Sequence, residues 1–461
     1  MAQEHFDRLT AIDASFLAQE GSASHMHIGA LTILEGPPPP FGEFLDIIRG
    51  RLHLVPRYRQ KLSFPPAETG RPVWVDDPNF NLEYHVRQTA LPRPGSEEQL
   101  FRLCSRIFSQ QLDRSKPLWE MWLIEGLSDN RFAILNKIHH AMVDGLSGAD
   151  IMEVLLDDSP QPVDTTPSTW APARAPSTVE VLGGAVVDAV RNPLGRIRHL
   201  AADLESPKDA VAKVASALAG TFRIGETLAH TEDHLLGQPG PHRRWAWANG
   251  DLTQVKDIKD ALGGTVNDVI LAAIATGFRE FLLGRVSDLN EQAFVRSMVP
   301  VSTRPSDAAS GGNQVAVMFC DLPVGVADPG ARLQRVHEQM QAAKNSGTVE
   351  GLDSMLENAV FIPPLLYAAA GRLAARTPQP AVSTITTNVP GPQRQLYMLN
   401  HPMRTMLPYV PLGMNQLITI AIMSYNGQIN CGITADYDRV PDVNRLAAGI
   451  EKGLAELAAL V

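Results

Sequence analysis

Two adjacent histidines and a nearby Asp-Gly pair are the residues of this chain best suited to chemistry. They stand in one seven-residue run, His139-His140-Ala141-Met142-Val143-Asp144-Gly145. An imidazole has an ordinary pKa close to neutrality, so it can take a proton from an alcohol or amine while that group attacks a carbonyl. The run therefore predicts a general base.

The surrounding sequence predicts how these histidines are positioned. Residues 132–138 form an apolar segment that indicates a mostly buried strand, residues 145–148 break the chain, and residues 149–156 indicate a helix. The histidines therefore lie where a strand ends, a frequent place for catalytic groups. Because side chains alternate across a strand, both cannot face one cavity without a local break. We expect one to point into an active site and the other into the packed interior.

Other interpretations of this region compete with catalysis by a histidine. The pair could be structural and the Asp-Gly an ordinary turn. A metal site is disfavoured, because ligands on regular structure are normally spaced to face one side. Ser147 lies in a run similar to a nucleophile elbow, but it stands well past the strand end and Ala149 replaces the second glycine. We interpret Ser147 as a helix N-cap or loop residue.

Composition excludes several classes of protein. A net charge of −10 disfavours nucleic acid as a partner. The three cysteines fit neither a zinc spacing nor a disulfide framework, which favours a reducing compartment. No signal peptide is evident, and the most apolar stretch, 360–375, contains two prolines and an arginine and falls short of the roughly 20 residues of a membrane span. We expect a cytoplasmic protein that has no metal and no spanning helix.

Hydrophobic periodicity and proline content divide the chain into three parts. Residues 1–156 and 239–461 each mix helices and strands, and residues 157–238 form a proline-rich and then helical linker. Asn426-Gly427 indicates a two-residue hairpin. The predicted strands are 27–34, 84–91, 118–127, 131–139, 294–303, 315–324, 417–423 and 428–436. The predicted helices are 44–54, 97–111, 267–283, 331–343 and one that begins at 441.

The histidine run resembles the H-H-x-x-x-D-G signature of the CoA-dependent acyltransferase superfamily, which includes chloramphenicol acetyltransferase and nonribosomal peptide condensation domains. Further segments are similar to the bacterial wax ester synthase/diacylglycerol acyltransferase family. In order, they are LTAIDASFL (9–17), MHIGAL (26–31), PRYR (56–59), PLW (117–119), ND (267–268), VPVSTR (299–304) and TNVPGP (387–392). The histidine run alone identifies only the superfamily, whereas the ordered set covers nearly the whole chain and is specific.

The resemblance implies a fold and a reaction. The fold is mixed α/β (α+β), with two chloramphenicol acetyltransferase-like domains and a cleft between them. The reaction is O-acyl transfer from a long-chain acyl-CoA, a co-substrate, to diacylglycerol or a long-chain alcohol, with no other cofactor. In the family the second histidine is the base, which makes His140 the general base and requires no acyl-enzyme. The residues by themselves leave the choice between His139 and His140 open.

The resemblance also gives the Asp-Gly pair a structural role. In the superfamily the motif aspartate commonly pairs with an arginine, so Asp144 holds the loop and does not relay protons. Arg304 is the candidate partner, although it could be an ordinary surface arginine. Gly145 permits backbone angles that other residues avoid.

A second group of candidates could contact the substrate. Asn267 and Asp268 either act in the active site or cap the helix that follows them. Asn388 could donate a hydrogen bond to a developing oxyanion, line an acyl channel or serve only the turn that follows. The remaining candidates for substrate binding or an oxyanion contact are Ser302, Ser383 and Thr384.

The linker contains a possible membrane contact. Four apolar residues recur at helical spacing and predict an apolar helix face, namely Val179, Leu182, Val186 and Val190. Three arginines cluster just beyond this face, namely Arg191, Arg196 and Arg198. This pattern predicts either peripheral contact with a membrane or lipid-droplet surface, or packing against the protein's own domains.

Two rival functions remain from the sequence. One is a related acyltransferase or condensation enzyme that uses a carrier-bound or polyketide acyl group. The other is a catalytically quiet lipid-droplet scaffold.

Overall fold

The fold is built on two six-stranded sheets. A computed structural model describes residues 7–65, 71–143, 156–161, 169–174, 176, 234–302, 315–345, 382–413 and 415–461. The strands are β1 His27–Glu35, β2 Gln60–Ser63, β3 Val73–Asp76, β4 Val86–Ala90, β5 Trp119–Leu127, β6 Arg131–His139, β7 Arg243–Asp251, β8 Val295–Ser302, β9 Val315–Leu322, β10 Thr384–Val389, β11 Tyr397–Met398, β12 His401–Tyr409, β13 Ile418–Tyr425 and β14 Gln428–Asp436. The helices are α1 Ala11–Gln19, α2 Phe41–Arg51, α3 Leu82–His85, α4 Glu97–Phe108, α5 Leu252–Leu262, α6 Val266–Leu283, α7 Pro329–Asn345 and α8 Val443–Ala458.

The first sheet has the order β11-β12-β1-β6-β5-β4. Its centre is β6, which is buried along nearly its whole length because apolar clusters cover both of its faces. Helix α4 closes one face with a capping box at Ser96 and with Leu100, Cys104 and Phe108 turned inward. The sheet therefore holds the end of β6, where the histidines lie, in a largely buried setting.

The second sheet has the order β7-β14-β13-β10-β8-β9. Strand β10 runs parallel to both β8 and β13, whereas β13 and β14 form an antiparallel hairpin around Asn426. Helices α6 and α8 pack together on one face and fill the second core. The predicted mixed α/β class and the predicted hairpin are confirmed.

One strand joins the two halves of the chain. Strand β12 follows the second sheet's β10 in sequence, yet it pairs with β1 and so belongs to the first sheet. The division into 1–156, 157–238 and 239–461 stays a prediction, but residues 397–409 from its third part complete the sheet of its first part. The two sheets approach each other closely at Gly432 of β14, where an added Cβ would lie 1.7 Å from the Pro408 carbonyl oxygen of β12.

The predicted strand over 84–91 is wrong at its start. Residues Leu82–His85 form a helical turn, because the Asn81 side chain accepts a hydrogen bond from the Glu83 amide and caps that turn. Strand β4 begins only at Val86.

Membrane-spanning helices were sought in the described parts of the chain. No single helix there has the length and hydropathy to cross a membrane, and α5 with α6 meet those criteria only as a pair bent by 101°.

We expect Gly432→Ala to lower the free energy of unfolding by roughly 3 kcal/mol or more, because β12 and β14 must move apart to admit a methyl group. Urea unfolding measures the change. Gly42→Ala in α2 is the matched control. Its Cβ meets nothing within 4 Å, so this variant should gain roughly 0.5–1 kcal/mol. Equal effects of the two substitutions would contradict the close approach of the sheets.

Candidate active site

The backbone at the histidine pair is anchored on both sides. The His139 amide donates to the Leu118 carbonyl oxygen at 2.9 Å, and the His140 amide donates to the Met26 carbonyl oxygen at 2.8 Å. Strand β6 ends at His139, and a 3-10 turn covers His140–Met142. The backbone geometry therefore changes between the two residues, because His139 keeps the extended conformation of β6 whereas His140 begins the turn.

His139 lies in the interior, with 1% of its surface exposed. Its Nδ1 accepts a hydrogen bond from the Ala141 amide at 3.1 Å. A nitrogen that accepts cannot carry a proton, so His139 is neutral and its single N–H is on Nε2. That Nε2 lies 3.7 Å from a carboxylate oxygen of Glu20.

Glu20 is a buried carboxylate that the sequence analysis did not identify. Its side chain is 1% exposed, and its Oε2 accepts hydrogen bonds from Arg114 Nε at 2.8 Å and Nη2 at 2.6 Å. Burial by itself would raise the pKa of Glu20, but the contacts with His139 and Arg114 outweigh burial and lower this pKa to about 2. The sequence offered one signal, which is that both residues lie near segments similar to the family. Glu20 follows LTAIDASFL (9–17), and Arg114 precedes PLW (117–119).

His140 is half-buried and has an aromatic neighbour. Phe16 of α1 stacks on its ring, with the centroids 3.9 Å apart and the planes 23° from parallel. Burial lowers the pKa of His140 to about 4. The His140 imidazole is therefore neutral near pH 7 and able to accept a proton.

Lys137 is a second ionisable group on β6. It is fully buried, and its ammonium donates to the carbonyl oxygens of Ile107, at 3.0 Å, and Gln110, at the end of α4. Burial lowers the pKa of Lys137 to about 8. These contacts hold α4 against the strand that carries the histidines, and the cation lies favourably at the helix C-terminus.

Two of the predicted substrate-contacting residues are brought together. The Asn388 amide at the end of β10 donates to the Asn267 side-chain oxygen at the start of α6, at 3.1 Å. Val389, next in the chain, packs against the apolar cluster that contains Met142 and Val143 of the histidine turn. The end of β10 and the histidine turn therefore share one cluster where the two sheets meet.

Other predicted site residues lie elsewhere or serve the fold. Asp268 forms a capping box with Thr265 and contacts His337 Nδ1 at 2.9 Å. Thr384 is fully buried and donates to the Ile418 carbonyl oxygen at 2.9 Å, and the buried Ser383 precedes it, so both lie at the opposite end of β10 from Asn388. Ser302 is the last residue of β8.

Some predicted features lie outside the described residues. These are Asp144, Gly145, Ser147, Arg304 and the apolar and basic face of the linker. Within the described ranges, no cluster of three or more His, Cys, Asp or Glu side chains is arranged to hold a metal ion.

Solved structures of acyl-transfer and condensation enzymes share this architecture. Trichothecene 15-O-acetyltransferase TRI3 from Fusarium sporotrichioides is 13% identical with a TM-score of 0.58, over 97% of this chain and 94% of that one. The first condensation domain of the calcium-dependent antibiotic synthetase is 15% identical with a TM-score of 0.57, over 99% of this chain and 96% of that one. At these identities the likeness shows a common fold, that of acyltransferase and condensation domains.

Closer similarities define the family. Residues 9–270 match the wax ester synthase/diacylglycerol acyltransferase catalytic domain, and residues 311–458 match the WS/DGAT C-terminal domain. The probable diacylglycerol O-acyltransferase Tgs1 of Mycobacterium tuberculosis is 35% identical, over 98% of this chain and 96% of its own. The wax ester synthase/diacylglycerol acyltransferase of Marinobacter aquaeolei VT8 is 26% identical with a TM-score of 0.70, over 98% of this chain and 99% of that one. The chain belongs to the wax ester synthase/diacylglycerol acyltransferase family and is an acyltransferase.

The low pKa of His140 links folding to pH. Between pH 6.5 and about 4 the unfolded chain binds a proton at His140 that the folded protein does not, so stability falls as the pH drops through this window. We expect His140→Gln to remove this contribution, which amounts to roughly 3 kcal/mol at the acid end. Urea unfolding at pH 7 and 4.5 measures it, with His53→Gln at an exposed position as control. Parallel pH dependences of the parent and His140→Gln would contradict the shift.

Proposed function

We propose that this enzyme transfers a fatty acyl group from acyl-CoA to diacylglycerol, with His140 as the general base. The observation that carries the proposal is the state of His140. Its ring is neutral, half-buried and fixed on a turn where the two sheets share a cluster. A neutral imidazole can take a proton, and the stacked Phe16 ring orients it.

The reaction balances with one proton carrier. His140 takes the proton from the acceptor hydroxyl while that oxygen bonds to the thioester carbonyl carbon. The tetrahedral intermediate then collapses, the carbon–sulfur bond breaks, and His140 returns the proton to the CoA sulfur. No covalent acyl-enzyme is needed, because much of the acceleration comes from holding the two substrates together.

Asn388 supports the charge that develops on the thioester oxygen. One N–H of its amide is occupied by Asn267 at 3.1 Å, and this contact fixes the orientation of the amide. The second N–H is then the candidate donor to the oxyanion. A donor held in place before the reaction stabilises the transition state more than a mobile one does.

The acceptor we favour is diacylglycerol. The mycobacterial relatives at 32–35% identity are named as diacylglycerol O-acyltransferases, over about nine-tenths or more of their length. A long-chain alcohol is the second candidate, because the Marinobacter structure is named for both activities. CoA release from palmitoyl-CoA, measured with diacylglycerol, hexadecanol or no acceptor, tests both. Absence of CoA release with either alcohol would refute the proposal and would favour a carrier-bound acceptor or a scaffold. Equal release without any alcohol would also refute it, because water would then be the acyl acceptor.

We infer that the enzyme works at a membrane or lipid-droplet surface. Its proposed acceptor and product are water-insoluble lipids that must be reached from the aqueous side. The apolar and basic pattern over residues 179–198 supports contact through the linker.

Loss of the base should abolish most turnover. We expect His140→Ala to lower kcat by about two to four orders of magnitude while the protein stays folded, because no other group takes the acceptor proton. His53→Ala, at an exposed position on the first domain, is the control and should match the parent. Parent-like turnover of His140→Ala would remove His140 as the base.

The amide of Asn388 should act mainly on kcat. We expect Asn388→Ala to lower kcat by about 10²- to 10³-fold with little change in KM, as removal of one oxyanion donor does. Asn267→Ala should have a smaller effect, because it only loosens the orientation of Asn388. Steady-state kinetics on both variants, with Asn290→Ala in a distant loop as control, measures this. A rise in KM of similar size with kcat unchanged would assign Asn388 to ground-state binding of the substrate.

A further inference from the structure

A buried chain of contacts leads from Arg114 to the histidine turn. Arg114 binds Glu20, the Glu20 carboxylate lies 3.7 Å from His139 Nε2, and His139 Nδ1 accepts the Ala141 amide. Ala141 is the residue after His140 within the same turn. Each contact fixes the next, and the chain ends at the backbone that carries the proposed base.

Two atoms in this series of contacts are chemically complementary. Glu20 Oε1 and His139 Nε2 are both buried and have no hydrogen-bond partner among the described residues. One is an acceptor, and the other carries the single N–H of the neutral ring. The 3.7 Å distance joins Nε2 to the other carboxylate oxygen, Oε2, which Arg114 also binds. The carboxylate therefore attracts the ring N–H electrostatically, and a small rotation of either group joins them by a hydrogen bond.

The charge of Glu20 selects the tautomer of His139. A carboxylate only accepts, so it favours a proton on the ring nitrogen that faces it. With the proton on Nε2, Nδ1 is free to accept the Ala141 amide. A proton on Nδ1 would instead face the Ala141 N–H and push the turn away. The tautomer of His139 and the position of His140 are therefore coupled.

We propose that Glu20, held by Arg114, is a positioning residue that fixes His139 in its Nε2–H tautomer and thereby sets the turn that carries His140. The link to catalysis rests on the proposed function of His140 as base, whereas the tautomer itself does not. Glu20 contacts no reacting atom in this scheme. It acts through His139, unlike the carboxylate of a Ser-His-Asp triad, which contacts the base directly.

The test changes the charge of Glu20 and keeps its shape. In Glu20→Gln the amide oxygen stays with Arg114 and the amide N–H₂ faces His139, which disfavours a proton on Nε2. We expect kcat to fall about 10- to 100-fold with KM nearly unchanged, less than the ~10⁴-fold seen when the contacted histidine is itself the base. Glu456→Gln is the matched control, since it removes the carboxylate partner of the buried Arg332, 2.8 Å away, in the other domain. That variant should lose stability and keep kcat.

The tautomer is read directly by NMR. With ¹⁵N-labelled histidine, the ring nitrogens of His139, assigned by their loss in His139→Ala, should show Nε2–H in the parent and Arg114→Lys proteins and a mixture in Glu20→Gln. If Glu20→Gln does not fold, the His139 tautomer in the parent and Arg114→Lys spectra still tests the proposal. An Nδ1–H His139 in the parent, or a Glu20→Gln loss of kcat no larger than that of Glu456→Gln, overturns the proposal. If His140→Ala keeps the activity of the parent while His139 carries its proton on Nε2, then His140 is not the base, but the proposed role of Glu20 in fixing the His139 tautomer stands.

Discussion

The site depends on where β6 ends. Neighbouring residues of a strand face opposite sides of a sheet, so a continuous β6 would turn His139 and His140 away from each other. The strand ends at His139, and the chain continues as a 3-10 turn that begins at His140. The His139 amide donates to the Leu118 carbonyl oxygen, and the His140 amide donates to the Met26 carbonyl oxygen. His139 is thereby locked inside the fold, and His140 is left half-buried at the junction of the sheets.

The junction itself is built by a strand that crosses between the halves of the chain. Strand β12 lies beside β1 in the first sheet and touches β14 of the second sheet at Gly432. The ends of β10 and β13 contribute Val389, Met423 and Tyr425 to the apolar cluster that also contains Met142 of the histidine turn. The candidate oxyanion donor and the candidate base come from residues some 250 positions apart, and the crossing strand is what makes their sheets adjacent.

Local features of the site could be predicted from the sequence, and long-range ones could not. The apolar run before His139 predicted a strand over 131–139, the bounds that β6 has, because periodicity and burial are local properties. The crossing of β12, the Asn267–Asn388 hydrogen bond and the Glu20–Arg114 pair join distant segments that carry no pairing signal. Lys137 shows the same limit, since a lysine within an apolar run is stable only because α4 presents carbonyl oxygens to it.

The magnitudes indicate which effects contribute most to the proposed reaction. A pKa of about 4 keeps His140 neutral, but it weakens the base by roughly 3 kcal/mol relative to an ordinary histidine. Binding two substrates in a reactive geometry supplies about 7–11 kcal/mol, and one fixed oxyanion donor supplies about 3–4 kcal/mol. Each of these terms equals or exceeds the loss in basicity. In the proposed reaction, burial weakens His140 as a base, but the contact with Asn267 that holds the Asn388 amide in place favours the chemistry by at least as much.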